Sequence, residues 1–154
     1  MTDAATQADA TGPTKSLVVE RLMPHPPEKI WRALTQSALI AEWLMQNDHE
    51  PVVGRRFNFR ATPIPGMWNG VSDCEVLVVE PCTRLVWRWQ ASGEEKADGL
   101  DSVVTWTLTP VDGGTLVRME HAGFRPKDEA GYQGMGGGWP RIVAGLERVA
   151  GQVS

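Results

Sequence analysis

The sequence of 154 residues contains few cysteines and no excess of positive charge, and each shortage excludes a class of protein. Its two cysteines, Cys74 and Cys82, lie in or beside strand-like segments and form no metal-binding spacing, so both are predicted to be reduced structural thiols. The net charge is −4 and the basic residues are scattered. Nucleic acids and anionic membranes are bound by clustered lysine and arginine, so neither is an expected partner.

Long apolar runs and signal sequences are also missing. No segment reaches the roughly 20 apolar residues that a membrane-spanning helix needs. Residues 1–16 have neither the basic start nor the apolar stretch of a secretory signal. These two absences favour a cytoplasmic protein.

Motifs that carry chemistry are equally scarce. The sequence has no nucleophile elbow, no phosphate-binding glycine loop and no Cys–His pair at a supported spacing, so no catalytic residue and no cofactor are predicted from motifs. Asp48, His49 and Glu50 resemble metal ligands by type. Adjacent side chains in a loop diverge, however, and no second ligand cluster exists, so no metal site is predicted.

Tryptophan is the residue type that is over-represented. Aromatic residues make up only 7% of the chain, yet seven tryptophans outnumber three phenylalanines and one tyrosine. Trp87 and Trp89 are two residues apart, so in a strand they share one face with Leu85, while Arg88 points to the other face. A soluble chain seldom exposes two indoles, because each carries a large apolar area. Both rings are therefore expected to face the interior.

The periodicity along the chain predicts one α+β domain over residues 17–152, after a disordered polar tail at 1–16. One strand precedes two short helices, and the alternation from residue 51 to 121 is typical of about six antiparallel strands. Apolar residues then recur at three- and four-residue steps from Trp139 to Ala150, which predicts a long C-terminal helix. The glycine-rich stretch before Trp139 disfavours a helix and leaves its start undefined.

A curved antiparallel sheet of about six or seven strands, wrapped around the long helix, would bury both apolar surfaces. This arrangement leaves a gap between the concave face of the sheet and the two short helices. Alternation places the following side chains on that face: Phe57, Phe59, Trp87, Trp89, Trp106, Met119 and His121. Each can equally be ordinary core, but together they suit a mostly apolar cavity.

Six blocks of the sequence occur in an order that is characteristic of one family: ERLMPHPPEKIWRALTQSALIAEWL, VGRRFNFR, VVEPCTRLVWRW, VTWTLTP, GGTLVRMEHAGF and GWPRIVAGLERV. Over residues 17–152 they resemble bacterial proteins similar to the C-terminal domain of the activator of the heat-shock protein 90 ATPase. These proteins belong to the birch-allergen-like and START-like superfamily. The resemblance implies the helix-grip fold, a pocket behind the concave face and a histidine at position 121.

The resemblance leaves the function open, because the superfamily includes lipid carriers, polyketide cyclases and co-chaperone domains. The eukaryotic co-chaperone depends on a separate N-terminal domain, whereas residues 1–16 are a short polar stretch, which weakens a co-chaperone role. The ligand-binding set adds helix and loop side chains to the concave face: Trp31, Trp43, Trp68 and Trp139.

Three functions follow from the sequence. The favoured one is noncatalytic binding of a small hydrophobic molecule, such as a lipid, a polyketide or an aromatic compound. The first alternative is a cyclase- or hydrolase-like enzyme in which His121 moves a proton, and the second is a protein-interaction module. A homodimer is also expected, because the alternating first strand, SLVVERLM, would otherwise leave an uncovered sheet edge.

Overall fold

The structure, a computed structural model, describes residues 13–153. These residues form one antiparallel sheet and three α-helices, which confirms the predicted α+β helix-grip class. The strands are β1 Lys15–Met23, β2 Gln46–Asn47, β3 Arg56–Arg60, β4 Val71–Glu80, β5 Arg84–Ala91, β6 Asp101–Val111 and β7 Gly114–Phe124, and the helices are α1 Pro27–Thr35, α2 Ser37–Trp43 and α3 Glu129–Ala150. The predicted tail at 1–16 lies largely outside the described residues, and β1 begins near its end.

The seven strands pair in the order β1-β7-β6-β5-β4-β3-β2, so consecutive strands from β2 to β7 are neighbours and β1 closes onto β7. Tight turns connect β4 to β5 and β6 to β7, whereas a longer segment with a 3-10 helix at Gly93–Ala97 connects β5 to β6. In the β6–β7 hairpin, Gly113 adopts a φ of 84°, a backbone conformation that residues other than glycine rarely adopt. This register places Trp87 opposite Val104 and Trp106 opposite Met119, so their side chains share the inner face.

Helix α3 covers the inner face and has two unlike halves. From Trp139 onwards its inward residues are buried, as the predicted apolar stripe requires. Residues 129–138 contain five glycines and no fully buried side chain, and Pro140 follows directly after Trp139. The helix nevertheless begins at Glu129, well before the apolar stripe, so the glycine-rich segment is helical although its composition disfavours a helix.

The two edges of the sheet differ. Strand β2 is short, and beyond it the backbone N–H of Asn58 in β3 donates to Asp48 Oδ1 at 3.0 Å. Strand β1 forms the other edge over nine residues, and its outward side chains Val18 and Leu22 are about half exposed. The β1 edge therefore presents a long strand with apolar residues to its surroundings.

Candidate functional site

The inner face of the sheet and the helices above it enclose a cluster of large side chains, which we call the inner-face cluster. Each member is at most 6% exposed. The cluster brings together nine of the residues that the sequence proposed for ligand binding: Trp43, Phe57, Phe59, Trp87, Trp89, Trp106, Met119, His121 and Trp139. Strands β3, β5, β6 and β7 and helices α2 and α3 all contribute.

The rings of the cluster pack mainly edge to face. The Trp106 ring centroid lies 5.5 Å from that of Trp43, 5.9 Å from Trp139 and 6.1 Å from Trp87, with interplanar angles between 72° and 86°. This is the favoured geometry for aromatic pairs, since the positive edge of one ring meets the negative face of another. The aromatic rings thus fill the space between the sheet and the helices and contact one another there.

His121 lies at the centre of a complete hydrogen-bond chain. Trp139 Nε1 donates to His121 Nδ1 at 3.1 Å, so the imidazole proton is on Nε2. Nε2 then donates to Ser102 Oγ at 2.7 Å, and the Ser102 hydroxyl donates to the carbonyl oxygen of Trp89 at 2.9 Å. Burial lowers the pKa of His121 to about 3, so the ring is neutral at neutral pH.

A second buried histidine repeats this arrangement. Trp87 Nε1 donates to His49 Nε2 at 3.1 Å, and His49 Nδ1 donates to the carbonyl oxygen of Thr35 at 2.9 Å. Burial lowers the pKa of His49, and the bond to Thr35 partly opposes that effect. By residue type His49 resembled only a metal ligand. The sequence signal for its burial is its place between two charged residues, Asp48 and Glu50, and the structure shows the three as exposed, buried and exposed.

Trp106 differs from three of the other indoles of the site. Trp43 Nε1 donates to the carbonyl oxygen of Ala33 at 2.9 Å, and Trp87 and Trp139 donate to the two histidines. Trp106 Nε1 is buried and has no hydrogen-bond partner among the described residues. A buried donor without an acceptor is uncommon in a folded protein, because its lost hydration is not replaced.

Two of the proposed binding residues lie apart from the cluster. Trp31, on α1, is half-buried and packs against the edge of the core. Trp68 lies in the loop between β3 and β4, where its Nε1 donates to the carbonyl oxygen of Val71 at 3.1 Å. Neither indole belongs to the ring network, so a binding role for these two stays a prediction.

Two surface clefts lie outside the inner-face rings. The larger, about 480 Å³, is on the outer sheet face, where polar side chains such as Asp73, Glu75 and Arg88 line it. The smaller, about 390 Å³, lies between α1, α2 and the end of α3, near Leu39 and Val153.

Since the inner-face cluster is filled by its own rings, a ligand in it requires some of these rings to move apart. The ligand-binding role of the cluster therefore remains a prediction.

Residues 13–153 contain neither a cluster of metal ligands nor a membrane-spanning helix. No three His, Cys, Asp or Glu side chains converge as metal ligands in this part of the chain. None of its helices has the length and apolar character needed to cross a membrane.

Burial raises the pKa of the Cys74 thiol well above its ordinary value, so this thiol stays protonated and chemically inert.

Solved structures share this architecture. Protein MLL2253 from Mesorhizobium loti is 49% identical, with a TM-score of 0.81, and the alignment covers 91% of this chain and 99% of that one. DynU16, a protein of the dynemicin biosynthetic locus, is 25% identical with a TM-score of 0.70, over 88% of this chain and 47% of that one. The Aha1 dimer from Colwellia psychrerythraea is 22% identical with a TM-score of 0.70, over 86% and 93%, and shows the fold alone.

The family assignment rests on most of the sequence. No curated protein matches the chain. Residues 24–151 match the family described as "Activator of Hsp90 ATPase homolog 1-like protein", in agreement with the sequence blocks and with the sheet wrapped around α3. The chain therefore belongs to the family of Activator of Hsp90 ATPase homolog 1-like proteins.

Proposed function

We propose that the protein binds a small hydrophobic molecule, without altering it chemically, between the inner face of the sheet and α3. The observation that carries this proposal is the chemistry of the inner-face cluster. It offers wide aromatic surfaces, while both nitrogens of His121 and of His49 are held by protein partners. Binding of an apolar molecule needs such surfaces and few polar groups.

The same observation argues against the enzyme alternative. A general base must accept a proton from its substrate, and for this it needs a free lone pair. The lone pair of His121 Nδ1 receives the Trp139 N–H, and its Nε2 proton is directed at Ser102. With a pKa of about 3, this imidazole is also a very weak base at neutral pH. His121 is therefore assigned a positioning role in the cluster.

The DynU16 comparison supports a role with small molecules. DynU16 belongs to a biosynthetic locus, so the same fold occurs beside the synthesis of a small molecule. We carry over from this only the class of ligand, a hydrophobic small molecule. This chain spans less than half of the length of DynU16, so whatever else that protein does is not transferred.

Native mass spectrometry of the freshly purified protein, repeated after denaturation, tests the binding proposal. We expect the native mass to exceed the denatured mass by that of one apolar molecule, or the emptied protein to bind a neutral naphthalene probe at one-to-one stoichiometry. Quenching of the buried indoles by the probe reports binding inside the cluster. No mass difference together with no saturable quenching would overturn the proposal.

A second copy of the chain is the protein partner that we propose, with β1 as the contact. The nine residues of β1 form an edge strand, and half-exposed Val18 and Leu22 extend the contact onto the outer sheet face. The inward charged residues of β1 each have a partner, since Lys15 pairs with Glu129 and Arg21 pairs with Glu147 at 2.6 Å each. Antiparallel pairing of two β1 strands around Val18 brings valine against valine. The same register sets Lys15 opposite Arg21 of the second copy, and the glutamate partner of each offsets their repulsion.

A further inference from the structure

The unpartnered donor of Trp106 is a specific clue to what the cluster binds. An indole has one polar atom, and in Trp106 that atom is buried with no acceptor within residues 13–153. The other such atom is Arg55 Nε, but the terminal nitrogens of this guanidinium pair with Asp48 and Glu50 at the surface. Trp106 is therefore a side chain whose whole hydrogen-bonding capacity is unmet.

The surroundings of Trp106 are uncharged. The buried polar side chains of the described residues are all neutral near pH 7: Thr35, His49, Ser72, Ser92, Ser102, Thr115 and His121. No Asp, Glu, Lys or Arg is buried in this part of the chain. A carboxylate or phosphate placed beside Trp106 would lose its hydration and find no counter-charge, which is strongly unfavourable.

The position of Trp106 also indicates how a ligand reaches it. Two of its three ring neighbours, Trp43 and Trp139, belong to α2 and α3. Moving these helices away from the sheet opens the space above Trp106 while the strand pairing of β6 with β5 and β7 stays intact. The required motion separates packed side chains and, where Trp139 moves, its hydrogen bond to His121, but it breaks no hydrogen bond between strands.

We infer that the inner-face cluster takes a neutral apolar molecule with a carbonyl-type oxygen, which accepts a hydrogen bond from Trp106 Nε1. This inference rests on the proposed function and narrows it. It selects aryl or alkyl ketones, esters, lactones and amides over plain hydrocarbons and over free carboxylates. Trp106 becomes the residue that determines this specificity, because a hydrocarbon leaves its donor unmet while a carbonyl satisfies it.

Three probes of nearly equal size test the inference: 2-acetylnaphthalene, its hydrocarbon isostere 2-isopropenylnaphthalene, and 2-naphthoate. Dissociation constants are measured by indole quenching at pH 7. We expect the ketone to bind about five- to tenfold more tightly than the hydrocarbon, as one satisfied hydrogen bond predicts. The naphthoate anion should bind at least about tenfold more weakly than the ketone.

Trp106→Phe removes the donor and keeps an aromatic ring. In this variant we expect the ketone-to-hydrocarbon ratio to fall to about one, mainly through weaker ketone binding. Tyr132→Phe is the control, since it removes one hydrogen-bond donor from an aromatic ring outside the cluster, and it should keep the wild-type ratio. The carbonyl stretch of bound 2-acetylnaphthalene in the wild-type protein gives a second readout that needs no variant, and it should lie below its frequency in hexane.

The possible results separate the two proposals. Equal affinity of wild type for ketone and hydrocarbon, with a hexane-like carbonyl stretch, overturns the inference and leaves the proposed function standing; Trp106 Nε1 then points at a neighbouring ring face. A preference that persists in Trp106→Phe overturns the inference as well. If none of the probes binds the wild-type protein, the inference is overturned, and the proposed function fails with it when native mass spectrometry also finds no bound apolar molecule.

Discussion

At the scale of single residues, the two indole–imidazole pairs determine how the core responds to acid. His49 and His121 are buried and neutral, and each accepts a hydrogen bond from a tryptophan N–H. Protonation would replace each accepting lone pair with a second N–H that faces an indole donor. A protonated ring would also be a charge in an apolar interior, so both histidines resist protonation in the folded state.

This arrangement predicts a loss of stability in mild acid. Well above pH 6.5 the two imidazoles are neutral in both the folded and the unfolded chain and have no effect. Below it, the unfolded chain takes up protons that folded His121 does not bind until about pH 3. The free energy of unfolding should therefore decrease as the pH is lowered from about 6.5 towards 3, by about 1.4 kcal/mol per pH unit for each histidine that stays neutral in the folded chain.

Urea denaturation at pH 7, 6, 5 and 4 measures this effect, and His121→Gln is the control. The variant should be less stable at pH 7, because the buried hydrogen bonds of His121 are altered. Since glutamine cannot be protonated, its free energy of unfolding should change less steeply with pH, by the equivalent of about one proton. A wild-type slope equal to that of His121→Gln would contradict the assignment of a buried neutral His121.

At the scale of secondary-structure elements, the two halves of α3 differ in what stabilises them. The second half is anchored by buried Trp139, Val143 and Leu146. The first half is attached through side contacts, such as the ring of Tyr132 on Phe124 and the Lys15–Glu129 ion pair. Glycine adds conformational freedom to the unfolded segment, so residues 129–138 should open before the rest of the helix.

Gly134→Ala tests this difference. The added methyl group meets nothing within 4 Å, so the expected effect is the gain in helix propensity, about 0.5–1 kcal/mol. Hydrogen exchange of the amides in 129–138 should slow in the same proportion. Gly136→Ala serves as the comparison, because its Cβ would lie 3.2 Å from Leu17 Cδ2 and part of the gain should be lost. Equal exchange rates in wild type and Gly134→Ala would show that this half is already held by packing.

The sequence predicted the sheet and the inner face because strand alternation is a local pattern. Trp87, Trp89, Trp106 and His121 all lie on the inner face, as their two-residue periodicity requires. The start of α3 was not predictable, because glycine disfavours a helix and the contacts that offset it come from distant strands. The partner of His49 was equally hidden, since Trp87 is 38 residues away in the chain.

At the scale of the whole molecule, the exposed edge strand predicts self-association. Val18→Lys places like charges next to each other at the centre of the proposed β1–β1 contact, so it should shift the protein towards monomer by tenfold or more in dissociation constant, on the order of 1.4 kcal/mol. Val52→Lys makes the same change at an exposed loop valine and should leave association unchanged. Sedimentation velocity over a range of concentrations distinguishes them. A monomeric wild type at every concentration would refute the dimer.

The closed edge beside β3 decides how far such assembly can proceed. The Asp48 carboxylate occupies the N–H of Asn58, and the carbonyl oxygen of Asn47 in β2 accepts the Ser37 hydroxyl at 2.9 Å. A molecule whose sheet has one free edge, β1, and one blocked edge can form a single β1–β1 pair and no further strand pairing. Two copies joined through β1 present only blocked ends to a third, so the assembly is finite. By blocking the opposite edge of the sheet, Asp48 limits assembly to a dimer and prevents an open-ended fibre, although it lies far from the β1 contact.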